Sequence, residues 1–250
     1  MSTIAIGDVH GNRAALADLL DQLRPVVEAR DTVVFLGDYI DRGPDSKGCI
    51  TAILDFQREV AGTVVCLCGN HEDWLLRTLH DPKRHSWLLG MEGLDTIESY
   101  SPHAAQAVRE AMADAGLQLY LGVGAVPYDL FFGAMPREHL RFFETLRLCH
   151  RTLDCLCVHG GVDPQVPLLA DQSRDALIWG PGGFPERYDG SEIVIYGHRD
   201  NAGLDNDGWP RPTIIGQTIG IDTISHGVLT AFRLPDRQVF QSRRYPANRR

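Results

Sequence analysis

The sequence predicts an α/β fold in which two β-sheets pack face to face between layers of helices. Three observations indicate this fold. Strand and helix patterns alternate through residues 1–80, a mostly helical stretch follows at about 80–147, and strand patterns return after it. No linker or change of composition divides the chain, so we expect a single domain over residues 1–250.

Three short apolar segments near the N-terminus predict neighbouring parallel strands. Residues 3–6, 32–36 and 63–68 are rich in β-branched side chains and nearly uncharged, which suits strands buried on both faces. A helical spacing of apolar side chains follows each segment. Three strand–helix units in a row imply a parallel sheet.

The region at about 80–147 has the pattern of a helical cap inserted between the strands. Helical stretches at 101–117 and 137–146 flank a short apolar segment at 119–126, and the region contains no site-like motif. We therefore interpret Trp87 in this region as a packing residue, and we interpret Trp74 and Trp179 outside it in the same way.

Strand patterns in the last third of the chain predict a second sheet. Residues 153–158 lead to His159, and residues 193–196 lead to His198. The patterns at 213–215, 218–222 and 228–234 indicate an antiparallel set that closes this second sheet, with a last strand at 238–243.

Composition and charge exclude several functional classes. The net charge of −9 disfavours binding to nucleic acid, which depends mainly on lysine and arginine. The longest apolar runs fall far short of the roughly 20 residues that a membrane helix needs. A strand pattern that begins near residue 3 leaves no room for a signal peptide, so we expect a cytoplasmic protein.

Polar motifs follow the predicted strands at the points where the strands end. Because the carboxyl ends of parallel strands meet at one edge of a sheet, we expect the side chains of these motifs to converge. Those that follow the three N-terminal strands are Asp8, His10, Asp38, Asp41, Asn70 and His71.

Carboxylate, amide and imidazole groups in this pattern predict a site for two divalent metal ions. Asp8 and His10 could hold the first ion, and Asp38 could bridge it to the second. The other ligands of the second ion would be Asn70, His159 and His198. We expect Mn²⁺, with Fe or Zn²⁺ as alternatives, because such donors suit these ions more than Ca²⁺.

The remaining motif residues indicate phosphate chemistry. His71 could give a proton to a leaving group, and Asp41 could orient and charge that histidine. Arg42 could bind two phosphate oxygens through its planar guanidinium, with Asn70 as a further contact to the phosphate.

These motifs, in this order and spacing, resemble those of the metal-dependent phosphoprotein phosphatase (PPP) family within the calcineurin-like phosphoesterases. Trp87 ahead of Gly93 and Thr96 is similar to the smaller bacterial and phage-type serine/threonine phosphatases. The resemblance implies a four-layer αββα sandwich with a helical cap. It also implies that Asp38 is shared by both metals and that His71, with Asp41, protonates the leaving group.

One feature of that family does not match. A second phosphate-binding arginine usually lies between the last two metal-binding histidines, near a tryptophan that corresponds to Trp179. This chain has no arginine at 179–184, so Arg187 and Arg199 are the two alternatives.

The resemblance implies a phosphomonoesterase that hydrolyses phosphorylated Ser or Thr side chains, with Tyr as an option, by direct attack of a metal-bridging hydroxide. Its partner would be a phosphorylated protein or peptide, and its oligomeric state is open. Asp38, Asp41 and Arg42 together favour this activity over the alternative, symmetrical hydrolysis of diadenosine tetraphosphate. A catalytically silent phosphoprotein-binding module is the alternative from another class.

Overall fold

The structure is a computed structural model that describes residues 1–200 and 202–246. Within these ranges the strands are β1 (Thr3–Ile6), β2 (Thr32–Phe35), β3 (Thr63–Cys66), β4 (Cys149–Arg151), β5 (Leu156–Val158), β6 (Val194–Tyr196), β7 (Gly203–Leu204), β8 (Pro210–Arg211), β9 (Thr213–Ile215), β10 (Thr218–Gly220), β11 (Thr230–Leu234) and β12 (Gln238–Gln241).

Two five-stranded mixed sheets form the centre of the fold. The first has the order β12-β11-β1-β2-β3, and the second has the order β4-β5-β6-β10-β9. The parallel arrangement predicted for β1, β2 and β3 is confirmed, since Ile4 pairs with Val33 and Val33 pairs with Val64 in parallel register. Strands β7 and β8 form a separate two-stranded ribbon.

The prediction for the C-terminal strands was wrong in two respects. Strands β11 and β12 complete the first sheet, where β11 runs antiparallel to β1, instead of closing the second. Strand β10 runs parallel to β6, and only its pairing with β9 is antiparallel. Alternation of apolar residues identifies a strand but carries no information about which strand edge is open to receive it.

The helices lie on the outer faces of the sheets and in the predicted cap. They are α1 (Arg13–Leu23), α2 (Ser46–Glu59), α3 (Asn70–His80), α4 (Ser86–Gly90), α5 (Gly93–Tyr100), α6 (Pro102–Ala115), α7 (Tyr128–Ala134), α8 (Arg137–Glu144) and α9 (Arg174–Trp179). Side-chain caps fix where the first two begin: Asn12 accepts from the Ala15 N–H at 3.2 Å, and Asp45 accepts from the Gly48 N–H at 2.8 Å.

Three apolar clusters define the layers. Side chains of both sheets, among them Val34 and Ile195, form a core between the sheets. The outer face of the first sheet packs against α1, α2 and the cap helices, and the outer face of the second packs against residues such as Leu177 of α9 and Phe184. The predicted αββα sandwich with a helical cap is therefore confirmed.

In the part of the chain that the structure describes, every helix is too short or too polar to span a membrane.

Candidate active site

The structure brings the predicted motif residues together where strands of both sheets end. They are Asp8, His10, Asp38, Asp41, Asn70, His71, His159 and His198. All are buried except His198, which is partly exposed. Glycine permits the closest approach, because a Cβ on Gly69 would lie 2.1 Å from Asp38 Oδ1.

The backbone of this region is strained. Positive φ angles are uncommon for residues other than glycine, and they concentrate at functional sites. Within the described ranges, five of the seven such residues belong to the motifs, namely His10 (44°), Asp38 (53°), Asp41 (69°), Arg42 (63°) and His198 (62°). These turns aim consecutive polar side chains into one small volume.

A first cluster of possible metal ligands consists of His10, Asp38 and His71. Asp38 Oδ2 lies 3.5 Å from His10 Nε2 and 3.9 Å from His71 Nε2. His10 Nδ1 lies 3.0 Å from the Ile40 carbonyl oxygen. Because a carbonyl can only accept, Nδ1 carries the hydrogen, and the lone pair of Nε2 faces the cluster, as metal binding requires.

A second cluster consists of Asp38, Asn70, His159 and His198. His159 Nε2 lies 3.4 Å from Asp38 Oδ1 and 3.0 Å from Asn70 Oδ1, and His198 Nδ1 lies 2.8 Å from the same Asn70 oxygen. His159 Nδ1 donates to the Leu36 carbonyl at 3.0 Å, so its Nε2 also faces inward. Asp38 thus presents a different oxygen to each cluster, which is the geometry of a bridging ligand.

The second cluster suits a cation. With His159 neutral, its Nε2 and the Asn70 oxygen would be two acceptors facing each other at 3.0 Å. Against the effect of burial, the Asp38 carboxylate raises the pKa of His159 to about 10, so that a proton takes the place of the cation. A divalent ion would displace that proton and satisfy the same acceptors. The two clusters are therefore positioned to hold metal ions.

Asp8 lies beside the clusters. Its carboxylate accepts from the His198 backbone N–H, at 3.1 Å to Oδ1 and 3.0 Å to Oδ2. Burial and then the nearby Asp222 carboxylate raise the pKa of Asp8 well above its usual value. Burial and neighbouring carboxylates also raise the pKa of Asp222, to about 7. Two neighbouring buried acids with raised pKa values favour a cation nearby, and the role of Asp8 as a ligand of the first ion stays a prediction.

His71 and Asp41 form a buried pair, with His71 Nδ1 2.7 Å from Asp41 Oδ2. Burial favours the neutral form of each, so it lowers the pKa of His71 to about 4 and raises that of Asp41 well above its usual value. A protonated Asp41 that donates to Nδ1 leaves the imidazole hydrogen on Nε2, and so does an ion pair, whereas a neutral His71 that donates from Nδ1 to an ionised Asp41 carries no hydrogen on Nε2. Nε2 is buried and without a hydrogen-bond partner among the described residues, and it faces the first cluster.

Two cap residues hold Asp41, although no site motif was expected in the cap. Trp87 Nε1 donates to Asp41 Oδ2 at 2.9 Å, and Thr96 Oγ1 donates to Asp41 Oδ1 at 2.5 Å. The interpretation of Trp87 as a packing residue was therefore incomplete, since its ring is buried but its N–H contacts the site. The sequence relates Trp87 and Thr96 only through the resemblance to the smaller phosphatases, and that resemblance assigns neither of them a contact with Asp41.

Glu72 is a further residue whose role was not predicted. Its carboxylate accepts from the backbone N–H groups of Asp38 at 2.9 Å, Tyr39 at 2.8 Å and Gly69 at 3.0 Å. It therefore ties the turn that carries Asp38 to the beginning of α3, which carries Asn70 and His71.

The three arginine candidates have different positions. Arg42 lies beside the first cluster, with Nη1 3.1 Å from His10 Nε2. Arg199 follows His198 directly, and its Nη2 donates to the Pro181 carbonyl at 3.2 Å. Arg187 is exposed, and no contact within the described ranges connects it to the clusters.

A comparison with protein families identifies the chain. The family model described as calcineurin-like phosphoesterase matches residues 1–227. The chain belongs to the calcineurin-like phosphoesterase family. It is thus a metallophosphoesterase, a metal-dependent hydrolase, whose clustered Asp and His side chains are placed to bind the metal ions.

Relatives within this family differ in substrate. A symmetrical bis(5'-nucleosyl)-tetraphosphatase of Nitrosospira multiformis is 27% identical over an alignment of 278 positions, gaps included, which covers 97% of this chain and 96% of the relative. Serine/threonine-protein phosphatase 1 of Salmonella typhimurium is 38% identical over 103 residues, which cover 41% of this chain and 44% of the relative. Membership of the PPP subgroup stays a prediction.

A solved structure supports the fold. A candidate diadenosine tetraphosphatase superposes with a TM-score of 0.63 at 21% identity, covering 98% of this chain and 94% of that chain.

Proposed function

We propose that this calcineurin-like phosphoesterase hydrolyses dinucleoside tetraphosphates, with diadenosine tetraphosphate as the representative substrate. The observation that carries the proposal is the similarity to the Nitrosospira multiformis enzyme, which extends over nearly the whole of both chains. The similarity to the Salmonella typhimurium phosphatase covers less than half of this chain. Substrate choice depends on the parts of a fold that surround its reactive centre, so a match that includes those parts is the better guide.

The positions of two arginines are compatible with a long phosphate chain as substrate. Arg42 lies beside the first cluster, and Arg199 follows His198 of the second cluster. A phosphomonoester presents a single phosphate group, whereas a tetraphosphate extends past the reacting phosphorus on both sides. Arg42 and Arg199 would suit such a substrate, and they would equally suit a single phosphate held by two arginines, as the resemblance to the PPP family implies, so they do not separate the two candidates.

The residues of the site would bind the metal ions, bind the phosphate and donate a proton. Asp38, His10 and the imidazoles of the second cluster would hold two divalent ions, which when bound lower the pKa of a coordinated water and polarise a phosphoryl oxygen. Arg42 and Asn70 would bind the oxygens of the reacting phosphoryl group. His71 would donate the hydrogen on Nε2 to the leaving oxygen while Asp41 holds Nδ1.

Hydrolysis of phosphoserine or phosphothreonine in proteins is a second candidate, and the His71–Asp41 pair favours it. A serine alkoxide is strongly basic and needs a proton in order to leave. A nucleoside diphosphate leaves as a stable anion and needs far less assistance. The Asp41 carboxylate, held by Trp87 and Thr96, positions the buried His71 imidazole, and such an arrangement is of greatest use for the poorer leaving group.

A substrate panel separates the two candidates. We expect purified protein with Mn²⁺ to show a kcat/KM for diadenosine tetraphosphate at least about tenfold above that for phosphoserine, phosphothreonine and phosphotyrosine peptides. Chromatography of the products gives the position of cleavage, since ADP alone indicates symmetrical hydrolysis. A tenfold preference for a phosphopeptide would replace the proposal with the second candidate. No hydrolysis with Mn²⁺, Mg²⁺, Co²⁺ or Zn²⁺ would favour a silent binding module.

A further inference from the structure

A cavity of about 490 Å³ lies next to the second cluster, and two tryptophans are among its lining residues. The rings of Trp74 and Trp179 have centroids 5.5 Å apart and are tilted by 59°. The ring of Trp179 also meets the His198 imidazole edge to face, with centroids 5.7 Å apart. Both tryptophans are only partly buried, so aromatic surface remains accessible next to a predicted metal ligand. We call this space the tryptophan cavity.

Polar groups surround the aromatic wall of the tryptophan cavity. Arg77, Ser173 and Asp175 line it together with Gly180 and Pro181. Arg199 lies at the same edge, because its Nη2 donates to the Pro181 carbonyl. The Nε atom of Arg199 is buried and has no hydrogen-bond partner within the described ranges. The cavity therefore combines an aromatic surface, hydroxyl and carboxylate groups, and an arginine between this space and the second cluster.

We infer that the tryptophan cavity binds one nucleoside end of the substrate. The base would stack on the wall formed by Trp74 and Trp179, and the phosphate joined to that nucleoside would contact Arg199. Aromatic side chains bind bases of any sequence because every base has a π-face, and carboxylates and hydroxyls suit the sugar hydroxyls. The inference rests on the proposed function, which requires a place for a nucleoside near the reacting phosphate.

The size and the lining favour a nucleoside over an aromatic peptide side chain. The volume lies within the usual range for small-ligand sites, about 300–1,000 Å³. A phenylalanine or tyrosine ring would use the tryptophans alone, whereas Arg77, which pairs with Asp73 and Asp175, and Ser173, which caps α9, keep capacity for further hydrogen bonds. A sugar attached to the base offers hydroxyl groups to these side chains.

Product inhibition tests the inference without requiring that the tetraphosphate is hydrolysed. The protein with Mn²⁺ hydrolyses p-nitrophenyl phosphate as the reporter reaction, and ADP and methyl diphosphate are compared as inhibitors. They share the diphosphate and differ in the nucleoside. Because stacking on one base contributes about 1–3 kcal/mol, we expect the inhibition constant of ADP to be about five- to hundredfold lower.

Substitutions at position 74 assign the difference to the aromatic wall. Trp74→Leu keeps an apolar side chain without a π-face, and we expect it to bring the ratio of the two inhibition constants below about two. Trp74→Phe restores an aromatic face and should recover most of the ratio. Trp209→Leu is the matched control, since Trp209 lies in the β7–β8 ribbon region and donates to Gln241, and it should leave the ratio as in the unmodified protein.

Each outcome has one meaning. Equal inhibition by ADP and methyl diphosphate in the unmodified protein overturns the inference before any variant is made. A ratio that persists in Trp74→Leu places the nucleoside elsewhere and also overturns it. If Trp74→Leu weakens inhibition by a tyrosine phosphopeptide more than it weakens inhibition by ADP, the cavity binds a peptide and not a nucleoside. If diadenosine tetraphosphate is not hydrolysed but the ratio depends on Trp74, the proposed function fails and the nucleoside cavity stands.

Discussion

Trp87→Phe tests whether the cap takes part in proton donation. The substitution keeps a buried aromatic ring and removes the N–H that donates to Asp41 Oδ2 at 2.9 Å. Removal of a donor from a buried acceptor costs about 1–3 kcal/mol, and the smaller ring leaves a void that costs about 1 kcal/mol more. We therefore expect the free energy of unfolding to fall by about 2–4 kcal/mol.

The effect of Trp87→Phe on catalysis should be specific. Asp41 keeps Thr96 and His71, so we expect kcat for phenyl phosphate to fall about tenfold, which is about 1.4 kcal/mol and lies within the cost of the lost hydrogen bond. The fall should be smaller for p-nitrophenyl phosphate, whose leaving group needs less protonation, and metal content by atomic absorption should not change.

Trp209→Phe is the control, because it removes an indole N–H that donates to Gln241 at 2.7 Å, away from the clusters. It should lower stability by about 0.5–1.5 kcal/mol and leave kcat unchanged. An unchanged kcat in Trp87→Phe, or equal losses on the two phosphate esters, would show that Trp87 only packs.

Four further predictions concern the metal clusters and their support. His71→Asn should lower kcat for phosphoserine peptides by about 10²–10⁴-fold with the metal content intact, and equal activity would remove His71 as the acid. Asp38→Asn should lose both metals, because Asp38 faces both clusters, and full occupancy by atomic absorption would contradict this. Glu72→Gln should lower the free energy of unfolding by about 2–4 kcal/mol in urea titrations, because an amide group cannot accept from all three N–H groups. The control Glu59→Gln changes an exposed side chain and should alter that free energy by no more than about 0.5 kcal/mol. Chelation of Mn²⁺ from about hundredfold above its Kd should lower Tm by about 5–10 °C, and an unchanged Tm would argue against metal binding to the folded state.

Much of the site could be predicted from the sequence because its residues follow strands. Asp8, Asp38 and Asn70 each come shortly after an apolar strand, so the local sequence shows both the strand and the polar side chain. Parallel pairing of the three strands then places these side chains at the same edge of the first sheet. His159 and His198 follow the same rule in the second sheet.

Contacts between distant elements could not be predicted in this way. Trp87 and Thr96 reach Asp41 only because the cap folds over the loop after β2, and no periodicity in the cap encodes that approach. The pairing of β11 with β1 could not be predicted either, because apolar alternation is the same for a strand of either sheet. The two arginine alternatives were separated by tertiary structure alone, with Arg199 beside the second cluster and Arg187 on the surface.

The pairing of β1 with β11 has a consequence for synthesis of the chain. Thr3 lies opposite Leu234, so during synthesis β1 has one edge without its partner until all the residues between β1 and β11 have been made. At about 5–20 residues per second this interval lasts on the order of ten to fifty seconds. During it, an apolar strand edge is open to pairing with other chains. Nascent protein should therefore depend on protection of that edge, and any truncation before β11 should aggregate.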